Sequence, residues 1–234
     1  MEETDGRSGQ RRTSPVVLIP AYDPDARLLP LLKALGEVFA RIVLVDDGSV
    51  RGREILSAAS PLVERVLVHA ANRGKGAALK TGLAYIGAED VVTADADGQH
   101  TIADIVRVAD ALSECRGGLV LGERALAGDV PLRSRFGNAF TRLVFRLAGV
   151  RVTDTQTGLR GIPGSLVERV AAIPGDRYEY ELLMLLDTRR HAERPCTVPI
   201  ETVYFDGNKG SHFRPFGDSV RNNWALFRGL VNMV

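Results

Sequence analysis

The sequence predicts an α/β protein built on a mostly parallel sheet flanked by helices. Short apolar runs of strand length alternate with longer segments whose apolar residues recur at helical spacing. The runs are apolar throughout, as in strands covered by helices on both faces of a parallel sheet. Polar and acidic residues follow these runs directly, at the strand ends where open parallel sheets bind ligands.

PVVLIPA (15–21) is the first buried strand, and RLLPLLKALGEVFA (27–40) the first helix. RIVLVDDGS (41–49) is a strand entering a polar loop, REILSAAS a short helix, RVLVHA (65–70) a third strand and GKGAALKTGLAYIG (74–87) a helix. DVVTADADG (90–98), IADIVRVADALSEC and GLVLGER (118–124) continue as strand, helix and strand. Beyond 124 the pattern changes. SRFGNAFTRLVFRLAG (134–149) reads as an amphipathic helix, TDTQTG as a polar loop, and GSLVERVAAI and YEYELLMLLDTRRH (178–191) as helices. TVPIETVYF (197–205) alternates like a strand, and a helix runs from about Pro215.

Lys plus Arg number 30 and Asp plus Glu 29, and the resulting charge of +1 argues against a dedicated nucleic-acid binder. No apolar run nears the ~20 residues that span a bilayer. Residues 1–14 are polar and read as a disordered tail without a leader, and 15–234 as one domain. Cys115 and Cys196 match no zinc or redox spacing, so the expectation is a reduced, intracellular protein, with Cys115 packed on its helix and Cys196 at a surface or in a strand.

Asp95 and Asp97, two apart in an extended chain, point the same way and offer paired hard oxygen donors suited to Mg²⁺ or Mn²⁺. Asp46 and Asp47 could accept hydrogen bonds from a base or ribose, or cap the following helix. Lys75 opens a helix after a Gly-rich turn, a favourable place for phosphate. Read as a P-loop, that turn has Leu79 where glycine is needed, which excludes an ATPase of that kind. Arg124, Arg133, Arg135, Arg142, Arg146 and Arg151 face only Asp129 within 124–151; Arg124 and the Arg133/Arg135 pair suit an anionic substrate. His100 adjoins the acidic loop and His212 a second polar loop, while His69 and His191 offer no constellation. In the last segment Trp224 and Phe227 lie among arginines spaced by seven, a pattern that an interfacial helix and a core-packed helix both satisfy.

VVLIPAYDPD, IVLVDDGS, NRGKGAALKTGL, VVTADADGQH and LVLGERA, in this order, resemble the family 2 glycosyltransferases of GT-A fold. DTQTGLRGIP resembles the loop of the branch holding dolichyl-phosphate mannose synthase and polyprenyl-phosphate sugar synthases. The resemblance implies that Pro20, Tyr22, Asp23, Asp46, Asp47, Lys75, Asp95 and Ala96 surround the nucleotide. Asp95, Asp97 and Gln99 would hold the metal, Mg²⁺ or Mn²⁺. Arg124 with Arg133 or Arg135 would meet the acceptor phosphate, with Asp97 completing the catalytic set. Asp154, Thr157 and Gly158 would shape the acceptor side, and Lys209 and Ser211 a loop near the phosphates.

The implied reaction is inverting transfer of a sugar from a GDP- or UDP-sugar to a polyprenyl phosphate. Residues 15–124 would form the nucleotide-sugar and metal half, and 125–234 the acceptor half with its C-terminal amphipathic helix. Such an enzyme would be cytoplasmic and peripheral at the membrane, reaching it directly or through a membrane partner protein. A phosphate acceptor needs no strong base; a glycan hydroxyl acceptor would need one, with Asp154 or Glu123 as candidates. A haloacid dehalogenase-type phosphatase is disfavoured, because DADGQ stands on the fourth strand and Gln99 replaces its threonine. A non-catalytic nucleotide-sugar-binding module is the remaining alternative.

Overall fold

A computed structural model describes residues 11–12, 14–115, 117–124 and 157–201. Its first half runs β1 (Val16–Ala21), α1 (Leu28–Val38), β2 (Ile42–Asp46), α2 (Arg53–Ala59), a 3-10 turn (Ser60–Leu62), β3 (Arg65–Val68), α3 (Lys75–Ile86), β4 (Val91–Thr93), α4 (Ile102–Glu114) and β5 (Val120–Arg124). After residue 156 come β6 (Arg160–Ile162), α5 (Gly164–Ala171), α6 (Glu179–Arg190) and β7 (Cys196–Ile200). The helices expected at 134–149 and from Pro215 lie outside the described residues.

The strands form a seven-stranded sheet in the order β3-β2-β1-β4-β6-β5-β7. β1 pairs in parallel with β2 and β4, β2 with β3, and β5 with β7. β6 is antiparallel to both β4 and β5. This strand is absent from the sequence reading, since three residues are too few for a periodic signal. All three are buried, and pairing with neighbours on both sides defines them as strand.

Side-chain alternation divides the core between the two faces. Val17 and Ile19 of β1 and Leu44 of β2 pack with α1 and α4; Val16, Leu18, Val43 and Val45 pack with α3, α5 and α6. α3 lies very close to β1: a Cβ on Gly82 would overlap the Leu18 side chain. α4 begins at Thr101, whose hydroxyl oxygen accepts from the Asp104 backbone N–H at 3.1 Å.

Arg12, inside the stretch read as a tail, forms a parallel bridge with Phe39 and an ion pair with Asp110. The expectation of reduced cysteines is overturned. Cys115 and Cys196 form a disulfide, with Cα atoms 6.1 Å apart across 81 positions. Cys115 ends α4 and Cys196 starts β7; the pairing of β5 with β7 brings them together. Cys196 is a strand residue, as one of its two readings had it. Among the described residues, no helix is long and apolar enough to cross a membrane.

Candidate active site

The carboxyl ends of β1, β2 and β4 open on one edge, and the chain leaves β1 toward β2 on one side while β4 lies on the other. That divergence is where open α/β sheets bind ligands. The polar residues at these ends form two linked groups.

In the first, the loops fasten one another. Ser49 Oγ accepts from the Asp23 backbone N–H at 2.8 Å, and Asp23 Oδ1 accepts from the N–H groups of Val50 and Arg51 at 2.9 and 2.7 Å. Asp23 has φ 45°, a left-handed conformation that this set of bonds holds in place. Asp46 Oδ1 accepts from the Ser49 N–H at 2.9 Å. Buried Asp47 accepts from the N–H groups of Arg73 and Gly74 at 2.9 and 2.7 Å, fixing the turn before α3. His69, expected to stand alone, belongs to this group. Its Nδ1 lies 2.7 Å from Asp47 Oδ1 and its Nε2 2.9 Å from Thr81 Oγ1. Since a carboxylate only accepts, Nδ1–H donates to Asp47. Pro20 is buried within β1, and Tyr22 is half-buried just beyond it.

The second group lies at the end of β4. Lys75 Nζ stands 2.7 Å from Asp95 Oδ1 and 2.9 Å from Glu181 Oε1. His100 Nε2 is 3.5 Å from Asp95 Oδ2. Burial opposes the charge on Lys75, but Asp95 and then Glu181 outweigh it and raise the ammonium pKa. Burial likewise pushes the Asp95 carboxyl up, and Lys75 with His100 overcomes that and holds it well below the usual carboxylate range. Asp97 moves the other way: burial and the charge of Asp95 raise it, although Oδ1 accepts from the Gln99 N–H at 3.0 Å. Ala96 is half-buried between the two carboxylates.

Gly158 completes this corner. A Cβ there would fall within 2.6 Å of Asp95 Oδ1, so only glycine leaves the carboxylate its place. Its carbonyl accepts from Thr93 Oγ1 at 2.8 Å, which fastens the loop to the end of β4. Neighbouring Thr157 is buried. Arg160, 1% exposed, donates from Nε to the Thr157 carbonyl and from Nη1 to the Glu181 carbonyl, at 3.0 and 2.6 Å.

Asp95 and Asp97 are hard oxygen donors of the kind that Mg²⁺ and Mn²⁺ take. Among the described residues, no group of three or more His, Cys, Asp and Glu side chains forms a metal site. A cation held by this pair would draw its remaining ligands from phosphate oxygens and water, as Mg²⁺ commonly does.

The structure thus gathers Lys75, Asp95 and Gly158, with Asp97 beside them, and adds His100 and Glu181. Asp23, Asp46 and Asp47 brace the adjoining loops. Arg124 ends β5, at the register position of Ile200. Arg133, Arg135, Asp154, Lys209 and Ser211 lie outside the described residues. The sequence reading missed Glu181, which reads as one more helical residue, and Arg160, inside an apparent loop.

Known proteins resemble this chain in both sequence and fold. An uncharacterised protein of Methanocaldococcus jannaschii is 31% identical over 199 residues, covering 80% of this chain and 81% of the relative. The UDP-N-acetylglucosamine–dolichyl-phosphate N-acetylglucosaminyltransferase of Methanococcus voltae is 29% identical over 213 residues, covering 80% and 85%. The fold resembles glucosyl-3-phosphoglycerate synthase from Mycobacterium tuberculosis, crystallised with Mn²⁺, UDP and phosphoglyceric acid. That likeness has a TM-score of 0.69 at 17% identity and covers 93% of this chain and 77% of the other, which makes the architecture that of GT-A glycosyltransferases. The family described as glycosyl transferase family 2 matches residues 16–172, from β1 through α5. That span takes in the whole β4 corner except Glu181, and the chain belongs to glycosyl transferase family 2.

Proposed function

We propose that this glycosyltransferase moves a sugar from a nucleoside diphosphate sugar to a polyprenyl phosphate, with Mg²⁺ or Mn²⁺ held by Asp95 and Asp97 and Gln99 beside them. The observation that carries the reading is the β4 corner, where the Asp95 carboxylate meets the Lys75 ammonium against Gly158, whose Cβ would overlap that carboxylate. A divalent cation bound there supplies charge neutralisation for the leaving diphosphate. Lys75 adds a fixed positive charge at the start of α3, where the helix dipole also favours an anion. Pro20, Tyr22 and Ala96 would line the nucleotide, while Asp23, Asp46 and Asp47 hold its loops in shape.

Residues 15–124 then form the donor half and 125–234 the acceptor half. Arg124, with Arg133 or Arg135, would hold the acceptor phosphate in line, so that positioning supplies much of the acceleration. Asp154, Thr157 and Gly158 would border the acceptor, and Lys209 and Ser211 the phosphates. At pH 7 a phosphate monoester is largely a dianion and attacks without a strong base. The lipid acceptor is supported by the names of relatives such as the Methanococcus voltae enzyme, and a peripheral position at a membrane would go with it.

A thermal-shift panel with GDP, UDP and dTDP, each with and without Mn²⁺, tests the donor site. A ligand binding only the native state at ~100 times its Kd adds about 2.7 kcal/mol. One nucleotide should shift the midpoint in a metal-dependent manner, and Asp97→Ala should abolish the shift. Absence of any shift overturns the donor reading. Transfer from the matching nucleotide sugar to polyprenyl phosphate, with a raised acceptor KM in the Arg133→Ala/Arg135→Ala variant, then tests the acceptor.

A further inference from the structure

The N-termini of α3 and α6 dock so tightly that small residues are required between them. A Cβ on Gly76 would lie 2.6 Å from the Tyr180 Cβ and 2.9 Å from the Asp176 carbonyl carbon. The Ala77 N–H donates to the Asp176 carbonyl at 2.9 Å, and Lys80 Nζ lies 2.7 Å from Asp176 Oδ1. Buried Arg160 fixes the Glu181 carbonyl from the β6 side. These contacts carry the Glu181 carboxylate, itself buried, to 2.9 Å from Lys75 Nζ, which also stands 2.7 Å from Asp95.

Burying a second carboxylate beside an existing Lys–Asp pair costs desolvation energy, so the pair alone does not account for it. The charge balance does. Lys75 with Asp95 alone is neutral, and the ammonium opposes any cation approaching Asp95. With Glu181 2.9 Å from the same Nζ, the ammonium is divided between two carboxylates and no longer offsets Asp95 alone.

We infer that Glu181 is a positioning residue: it shares the Lys75 ammonium with Asp95, and so leaves the Asp95 carboxylate open to a divalent cation. The inference rests on the reading of Asp95 and Asp97 as the cation site.

The test is Mn²⁺ binding to the full chain, read from the electron paramagnetic resonance signal of free Mn²⁺ at saturating nucleoside diphosphate. Glu181→Gln keeps the shape and removes the charge. It should weaken Mn²⁺ about tenfold, the equivalent of about 1.4 kcal/mol, with an unchanged thermal midpoint. In a Lys75→Met background, the same substitution should change affinity less than twofold. Glu181→Asp, which keeps the charge, should stay within about threefold of wild type; it also serves as the comparison should the Gln variant fold poorly. Wild-type affinity in Glu181→Gln overturns the inference alone. So does an equal loss with and without Lys75, which would make Glu181 a direct ligand, and so does a tenfold loss in Glu181→Asp. A wild-type chain that binds no Mn²⁺ overturns the cation site itself, and the inference with it.

Discussion

The carboxylate of Asp95 rests against the backbone of Gly158, with no room between them for a Cβ. Gly158 enters β6, the strand that separates β4 from β5, so the insertion of β6 sets the wall behind the acidic corner. Gly158→Ala must displace either Asp95 or the loop. We expect kcat/KM for sugar transfer to fall about 100-fold, the cost of roughly 1 Å of misplacement at a reacting centre. Parallel measurement of the thermal midpoint separates this from loss of fold.

Asp47 and His69 form a brace rather than an open ligand pair. His69→Ala removes one donor to a buried carboxylate and should cost about 1–2 kcal/mol in urea unfolding. Asp47→Ala strands the Arg73 and Gly74 N–H groups, at about 1–3 kcal/mol for each group left unsatisfied. Because the turn they hold leads into Lys75, both variants should also raise the donor KM. A His69→Ala protein with wild-type stability and donor KM would refute the brace.

The Cys115–Cys196 bond closes a loop across 81 positions. Replacing both with serine should lower unfolding free energy by about 2–4 kcal/mol, mainly by freeing the unfolded chain. Dithiothreitol should reproduce the loss in wild type and leave the double variant unaffected, as denaturant titration can check.

Arg41 clamps Glu64 at 2.6 and 3.1 Å, and also reaches Glu89, joining three surface segments. The hydrogen bond from Arg41 holds the Glu64 carboxyl below its ordinary value of 4.5. A lowered carboxyl stabilises the fold above its ordinary value, and that contribution disappears as pH falls from about 4.5 through the lowered one. Arg41→Ala should remove it, making stability less dependent on pH in that acid range. The effect should be at most about 1 kcal/mol, because the pair is partly exposed and screened.

Much of the scaffold was legible because its signals are local. Each strand from β1 to β5 is an apolar run, and each helix from α1 to α4 follows from apolar spacing within a few turns. Asp95, Asp97 and Lys75 stood out because acidic and Gly-rich loops follow strands whose direction was already implied. β6 was illegible, since only pairing on both sides makes Arg160–Ile162 a strand. His69 looked isolated because its partners, Asp47 and Thr81, lie 22 and 12 positions away.

The alternating α/β order and the acidic edge are readable from neighbouring residues, because helix and strand periodicity and strand-end chemistry are local. That Glu181 meets Lys75, that Gly158 backs Asp95 and that Cys115 bonds Cys196 follows from the folded arrangement alone. Each joins segments tens of residues apart. Such contacts depend on strand order and helix docking, which arise from packing the whole chain at once and leave no mark at either partner.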